Sequence, residues 1–377
     1  MTIKIPLSSP DITELEIAAV TAVLRTPRLS LGEKLLEFES RFASYNGSAH
    51  AVAVSSGTAA LHLAALVAGV QPGDEVIVPS FTFIAVANAV RYSGAIPVFV
   101  DIDATTLNLA PAAIEKAITQ RTRAIIVVHT FGVPAAMAEI LEVAHRHDLR
   151  VIEDACEAIG GEYAGRKLGS LGDLGVFGFY PNKQITTGEG GMLVTNDAKM
   201  AARTRALRNQ GRGPSGDWFE HSEIGYNYRI SEINCALGLA QLARIDEILA
   251  KRAAVAEAYN SRLRGIADLE LPLTTVPRGK ISWFVYVVRL AQRSRGGRRD
   301  RVAASLIERG VACGRYFAPI HLQPAHKNVP HRCMDLAVTE SVAERTLSLP
   351  FFNQLASAQV HEVCDALCDA LRVAAAF

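Results

Sequence analysis

Seven short apolar runs that alternate with helix-like segments constrain this chain more than any other feature. They are Ala51 to Val54, Glu75 to Val78, Ile96 to Val100, Ala124 to Val128, Leu149 to Ile152, Gly175 to Phe179 and Met192 to Thr195. Runs that are apolar throughout suit strands covered on both faces, and connections of roughly ten to fifteen residues suit crossover helices. The expected fold is α/β, with a mostly parallel seven-stranded sheet flanked by helices. Ahead of the sheet, Asp11 followed by Glu14 predicts a capping box opening a helix to about Arg25, and an amphipathic segment from Gly32 to Tyr45 completes an N-terminal arm.

Behind the sheet, the pattern predicts a helix towards Asn209, a polar loop from Gln210 to Ser222 and one long helix from Ser231 to about Leu263, stopped at Gly265. A strand (Trp283 to Leu290), a basic turn (Arg293 to Arg299), a helix (Asp300 to Arg309), a Pro/His-rich segment and a last helix (Ala356 to Leu371) then describe a small C-terminal α+β domain. At 377 residues the chain exceeds what one core usually supports. The expected division is an arm and large domain over 1–250 and a small domain over 251–377.

A net charge of +1 gives no global attraction to nucleic acid or to an anionic membrane, so neither is expected as a partner. Small molecules or a second copy of the chain fit better. The opening MTIKIPLSSPDITELE has no apolar signal core, and no uncharged run is long enough to span a bilayer, which predicts a cytoplasmic protein. The six cysteines are scattered and read as reduced thiols, Cys364 and Cys368 sharing a helix face. With no HExxH among ten histidines, no metal site is expected. Residues 211–216, GRGPSG, match GxGxxG, but they follow a helix and contain a proline, which argues against a dinucleotide site.

The chemistry is centred on Val176-Phe177-Gly178-Phe179-Tyr180-Pro181-Asn182-Lys183, which runs on to Gly188-Glu189-Gly190-Gly191. A lysine between an aromatic run and a glycine turn has two readings. Its stem packs on Phe179 and Tyr180 while its head reaches water, or it is an amine prepared to attack a carbonyl and form a Schiff base. Three other groups stand at the carboxyl ends of predicted strands, where open α/β sheets bind ligands. Ser55-Ser56-Gly57-Thr58 opens a helix, as an ordinary N-cap or as a phosphate cradle. Asp154 ends a strand, as a cap or as the partner of a ring nitrogen. Phe81 and Phe83 follow another, as core or as a ring stacked on a flat cofactor. A phosphate cradle, a stacking ring, an acid for a pyridine nitrogen and a Schiff-base lysine together meet the needs of pyridoxal 5′-phosphate (PLP).

With these motifs in this order, and with Pro72-Gly73-Asp74-Glu75, Glu153-Asp154-Ala155 and Gly225-Tyr226-Asn227-Tyr228-Arg229 beside them, the chain resembles the DegT/DnrJ/StrS family of PLP-dependent sugar aminotransferases, of fold type I. The resemblance implies Lys183 as the lysine that carries the cofactor, Asp154 as the partner of its ring nitrogen and Phe83 as the stacked ring. It assigns Gly57 and Thr58 to the phosphate, Glu157 to the neighbourhood of the phenolic oxygen, and Asn227 to the phosphate of the neighbouring subunit, which makes a homodimer with shared sites. It sets His129, Arg229 and His321 near substrate, although for a lone histidine a structural role is the commoner one. One position departs from the pattern: the family's serine five residues before the lysine is here Gly178, which bears on cofactor affinity.

The implied reaction moves an amino group from L-glutamate to a nucleotide-linked keto sugar. Ile185-Thr186-Thr187-Gly188-Glu189-Gly190-Gly191 is similar to members that aminate C4 of 4-keto-6-deoxy sugars. The alternatives are amination at C3, dehydration through a pyridoxamine cofactor, and a non-catalytic regulatory role. The dehydratases carry histidine where this chain has Lys183.

Overall fold

In the computed structural model, which describes residues 2–213, 219–291 and 297–375, each of the seven apolar runs lies on a strand. These are β1 (His50–Val54), β2 (Glu75–Pro79), β3 (Ile96–Val100), β4 (Thr122–Val128), β5 (Arg150–Asp154), β6 (Leu174–Gly178) and β7 (Gly191–Thr195). They lie in the order β1-β7-β6-β5-β4-β2-β3. Only β7 runs against its neighbours within this order. The carboxyl ends of β1, β2, β4, β5 and β6 therefore share one edge.

The sheet is covered on both faces, which is why its strands read as continuous apolar runs. Ile125 and Val127 of β4 pack with Phe38, Phe42, Ile140 and Leu239 on one face. Ala124, Ile126 and Val128 pack with Leu61, Val86 and Val90 on the other. The sheet has eight strands where seven were expected, because Arg332–Cys333 adds in parallel beside β3. Two residues carry no apolar pattern. This pairing is accompanied by a charge contact: Glu75, fully buried at the start of β2, accepts from Arg332, Arg121 and the Thr119 hydroxyl. A buried carboxylate needs such partners.

Two further expectations change at the N-terminal arm. The first helix, Glu14–Leu24, is capped by Thr13 with Glu16 in a capping box, not by Asp11 with Glu14. Asp11 is buried and is instead engaged by Arg244, Lys251 and Asn353. Arg244 also bonds Glu16 and Glu247. At this cluster the long predicted helix breaks in two, Glu232–Ala243 and Ile245–Leu263. Burial works to raise the Glu16 carboxyl, but hydrogen bonds from Thr13, Arg244 and Gln241 outweigh it and pull it down to about 2.

The helix Ile245–Leu263 contains the 250/251 division and serves two cores. Ile245 and Ile248 join the core on the sheet, while Val255, Tyr259 and Leu263 join a separate one with Tyr286, Val288, Leu347, Leu349 and Val363. That second core lies against an antiparallel sheet of Leu269–Glu270, Tyr286–Leu290 and Thr346–Leu349. Helices Arg298–Glu308 and Ser357–Ala375 flank it. The strand expected from Trp283 starts at Tyr286, because buried Arg252 takes the carbonyls of Trp283 (2.8 Å) and Phe284 (2.6 Å). Residues 214–218 of the glycine-rich loop and 293–296 of the basic turn lie outside the described residues. All six cysteines are free thiols. Among the described residues, no helix is long and apolar enough to cross a membrane.

Candidate active site

The shared carboxyl edge of the sheet opens into a cavity of about 770 Å³, within the range of small-molecule sites. At the end of β1 the chain turns into the helix Gly57–Val67, whose N-cap is Ser56: its hydroxyl accepts from the Ala59 N–H at 3.1 Å. Gly57 and Thr58, in the first turn, border the cavity, and their amides have no acceptor within the helix. Capping by Ser56 does not use these two amides. Gly191 in β7 makes the close approach possible, since a Cβ there would lie 2.4 Å from the Ser56 carbonyl oxygen.

Gly57, Gly178 and Cys156 meet below this turn. A Cβ on Gly178 would lie 3.3 Å from Cys156 Sγ, and one on Gly57 would lie 3.2 Å from the same sulfur. The thiol thus lies against the place where a side chain at 178 would begin. Burial pushes the Cys156 thiol well up, with Asp154 adding to the effect, so it stays neutral.

Lys183 is held by a tied-down turn. Its amide donates to Tyr180 O at 2.9 Å, and Thr186 and Thr187 both donate to Phe179 O. The Gln184 amide reaches Glu157 O at 2.8 Å and Ser282 Oγ at 3.0 Å. The ammonium does not run out to water: Nζ lies 3.8 Å from Glu157 Oε1 and 3.9 Å from the centre of the Phe284 ring, with the side chain 16% exposed. Glu157 is buried and accepts from the Phe131 N–H at 2.8 Å. Burial raises its carboxyl, more than the Lys183 cation and that N–H lower it.

Asp154, at the end of β5, borders the cavity and accepts from the Cys156 N–H at 3.0 Å, so its capping role is real and leaves the carboxylate beside the ligand space. Of the two phenylalanines after β2, Phe81 is fully buried against Phe131 and Phe317, whereas Phe83 is 61% exposed and borders the cavity.

The remaining candidates lie elsewhere. His129 is fully buried, with Nε2 at 3.0 Å from Glu153 and Nδ1 accepting from the Ala135 N–H at 3.1 Å, so both ring nitrogens are spent inside the protein. It does not line the cavity. The imidazole instead ties β4 to Glu153, which also accepts from the amides of Gly169, Leu171 and Gly172. His321 is held by Ser80 (2.7 Å) and Glu340 (3.2 Å) and does not line the cavity. Arg229 bonds Asn209 at 3.1 Å, and Asn227 is exposed in a short bridge to the same residue. Neither borders the cavity of its own chain. Phe284, Arg315 and Tyr316, from the other side of the chain, do border it, and no local pattern in the sequence marks them.

These residues fit PLP. The first turn at Gly57 offers unpaired N–H groups and a glycine surface for the phosphate, Phe83 offers a free ring face, Asp154 a carboxylate, and Lys183 an amine. Comparison with known proteins agrees. The profile of the DegT/DnrJ/EryC1/StrS aminotransferase family matches residues 10–368. GDP-perosamine synthase of Caulobacter vibrioides is 45% identical over 339 residues, 90% of each chain. The crystal structure of DesV from S. venezuelae superposes with a TM-score of 0.90 at 38% identity over 99% of both chains. Spr1654 of Streptococcus pneumoniae in its PLP-form superposes with a TM-score of 0.92 at 28% identity, over 98% of this chain and 99% of that one.

Proposed function

This chain belongs to the DegT/DnrJ/EryC1/StrS aminotransferase family, and from that premise we propose that it moves an amino group from L-glutamate to C4 of a keto sugar carried on a nucleotide, working as a homodimer. Its cofactor is PLP, which supplies a carbonyl for the lysine and a ring that accepts electrons. The observation that carries the reading is the convergence of Lys183, Asp154, Phe83 and the Gly57 turn on one cavity at the carboxyl edge of the sheet.

In this reading the amides of Gly57 and Thr58 bind the phosphate, and Phe83 covers one ring face. Asp154 keeps a proton on the ring nitrogen. The carboxyl of Glu157, raised by burial, is suited to share a proton with the phenolic oxygen. Lys183 Nζ would be the amine that holds the cofactor's carbonyl and the base that moves a proton at the reacting substrate carbon. The similarity to GDP-perosamine synthase and the segment from Ile185 to Gly191 support C4 over C3. A panel of nucleotide-linked 3-keto and 4-keto sugars assayed with glutamate tests this. Aminated 4-keto product with 2-oxoglutarate release is expected, and amination of the 3-keto sugars alone would overturn the position assigned.

The homodimer part has its own test. Asn227 is exposed and outside its own chain's cavity, which suits a role in the partner's site. Mixing inactive Lys183→Ala subunits with Asn227→Ala subunits, the latter weakened in cofactor retention, is expected to restore activity. The mixed dimer holds one intact site, with Lys183 from one chain and Asn227 from the other. Confirmed subunit exchange without regained activity would remove Asn227 from the partner's site.

A further inference from the structure

We propose that Arg315 is the residue that binds the diphosphate of the nucleotide-linked substrate, an inference that rests on the reading of the cavity given above. Among the described residues, the cavity is bordered by two cations, Lys183 and Arg315, and by three carboxylates, Asp154, Glu157 and Glu189. Without Arg315 the charged side chains that this chain brings to the cavity, Lys183 apart, are all carboxylates, a poor setting for an anionic substrate. Lys183 cannot serve as the counter-charge, since it is needed for the chemistry. It also lies between Glu157 and Phe284 with 16% of its side chain exposed. The Arg315 side chain, 61% exposed, stands where the cavity meets solvent. A sugar whose keto carbon reaches Lys183 trails its phosphates towards that mouth.

The backbone that presents Arg315 is fixed and its side chain is free to turn. Gly314 forms a two-bond bridge with Ser348, its N–H donating at 3.0 Å and its carbonyl accepting at 2.8 Å. The Tyr316 ring stacks on Phe317 at 5.1 Å with 3° between planes, and on Phe284 at 6.5 Å. The guanidinium itself meets one carboxylate, Asp300, at 3.1 Å. Asp300 is half-exposed and is claimed at the same time by Arg299. Such a pair is weak and easily exchanged for a better anion. The guanidinium fork matches two phosphate oxygens, which a point charge does not.

The competing anion is the side-chain carboxylate of the amino donor, and kinetics separate the two. With the Arg315→Gln holoenzyme, KM for the nucleotide-linked sugar is expected to rise roughly tenfold, the effect of losing one charge-assisted contact. KM for glutamate and the rate of the glutamate half-reaction should stay unchanged. Asp300→Asn, which frees the guanidinium, should shift the sugar KM the opposite way. An increase in glutamate KM instead, or an unchanged sugar KM, would overturn the assignment. Calorimetric titration of the holoenzyme with guanosine diphosphate, uridine diphosphate and inorganic pyrophosphate gives a readout that does not need turnover. Binding that weakens with salt and is lost in Arg315→Gln supports the diphosphate site even if no keto sugar in the panel is aminated, in which case the functional reading alone fails. Binding that ignores the substitution, or no binding to the unsubstituted protein, overturns it.

Discussion

Lys183→Ala is expected to lower transamination roughly 10³-fold or more, the upper range for removing a group that both bonds and moves protons. The fold should survive. The turn around Lys183 is held by its own backbone and by Thr186, Thr187 and Gln184, none of which depends on the ammonium. The group left behind is Glu157, whose carboxyl burial already raises, so it can take a proton when its cation is removed. Lys183→Arg is a sharper control, because it keeps a charge beside Glu157 and Phe284 but supplies a nitrogen that cannot be deprotonated. It should be as inactive as the alanine variant. Borohydride reduction of the holoenzyme followed by peptide mapping should place the pyridoxyl group on Lys183. Lys34, Lys167 and Lys251 are paired to surface carboxylates and face no cavity of this kind. A label on any of them would sink the assignment.

How much of this was readable from the sequence depends on where the information sits. The seven central strands are legible because both faces of the sheet are buried, so each strand is apolar along its whole length. Arg332–Cys333 is not, because two residues show no period and the contact from Arg332 to Glu75 is visible only in three dimensions. Helical periodicity runs on through Arg244, and the break there coincides with a cluster of charges, Asp11 and Glu16, drawn from more than two hundred residues away. Within the site, Gly57, Asp154, Phe83 and Lys183 are legible because each follows a strand at the carboxyl edge. Phe284 and Tyr316 pack with Phe81, Phe131 and Phe317 from distant parts of the chain, Arg315 stands beside them, and none of the three carries such a marker. His129 also follows a strand, but Glu153 takes its imidazole, and nothing in the local sequence separates a histidine facing substrate from one facing a buried carboxylate.

For Asp154→Asn the expected result is a properly folded protein with activity reduced about 10²- to 10³-fold, the order found when one preorganised electrostatic partner is removed. The structure makes this substitution informative. The Asp154 carboxylate accepts from the Cys156 N–H at 3.0 Å, and the amide oxygen of asparagine can accept from the same N–H. The capping role is therefore kept and the charge alone is lost. Thermal stability should be unchanged or slightly higher, because a buried charge next to another carboxylate is removed. For the same reason the Glu157 carboxyl should be raised less, since Asp154 contributes to its upward shift. Asp154→Ala removes both cap and charge and should lose activity to a similar extent, with an added loss of stability. Three measurements decide between the two roles: melting temperature, turnover with glutamate, and the pH dependence of the visible absorbance of bound cofactor. An asparagine variant with near-normal turnover and an alanine variant that is both unstable and inactive would mean that Asp154 only caps its strand. A stable asparagine variant that holds cofactor, turns over slowly and has a displaced absorbance titration would mean that its negative charge keeps the ring nitrogen protonated.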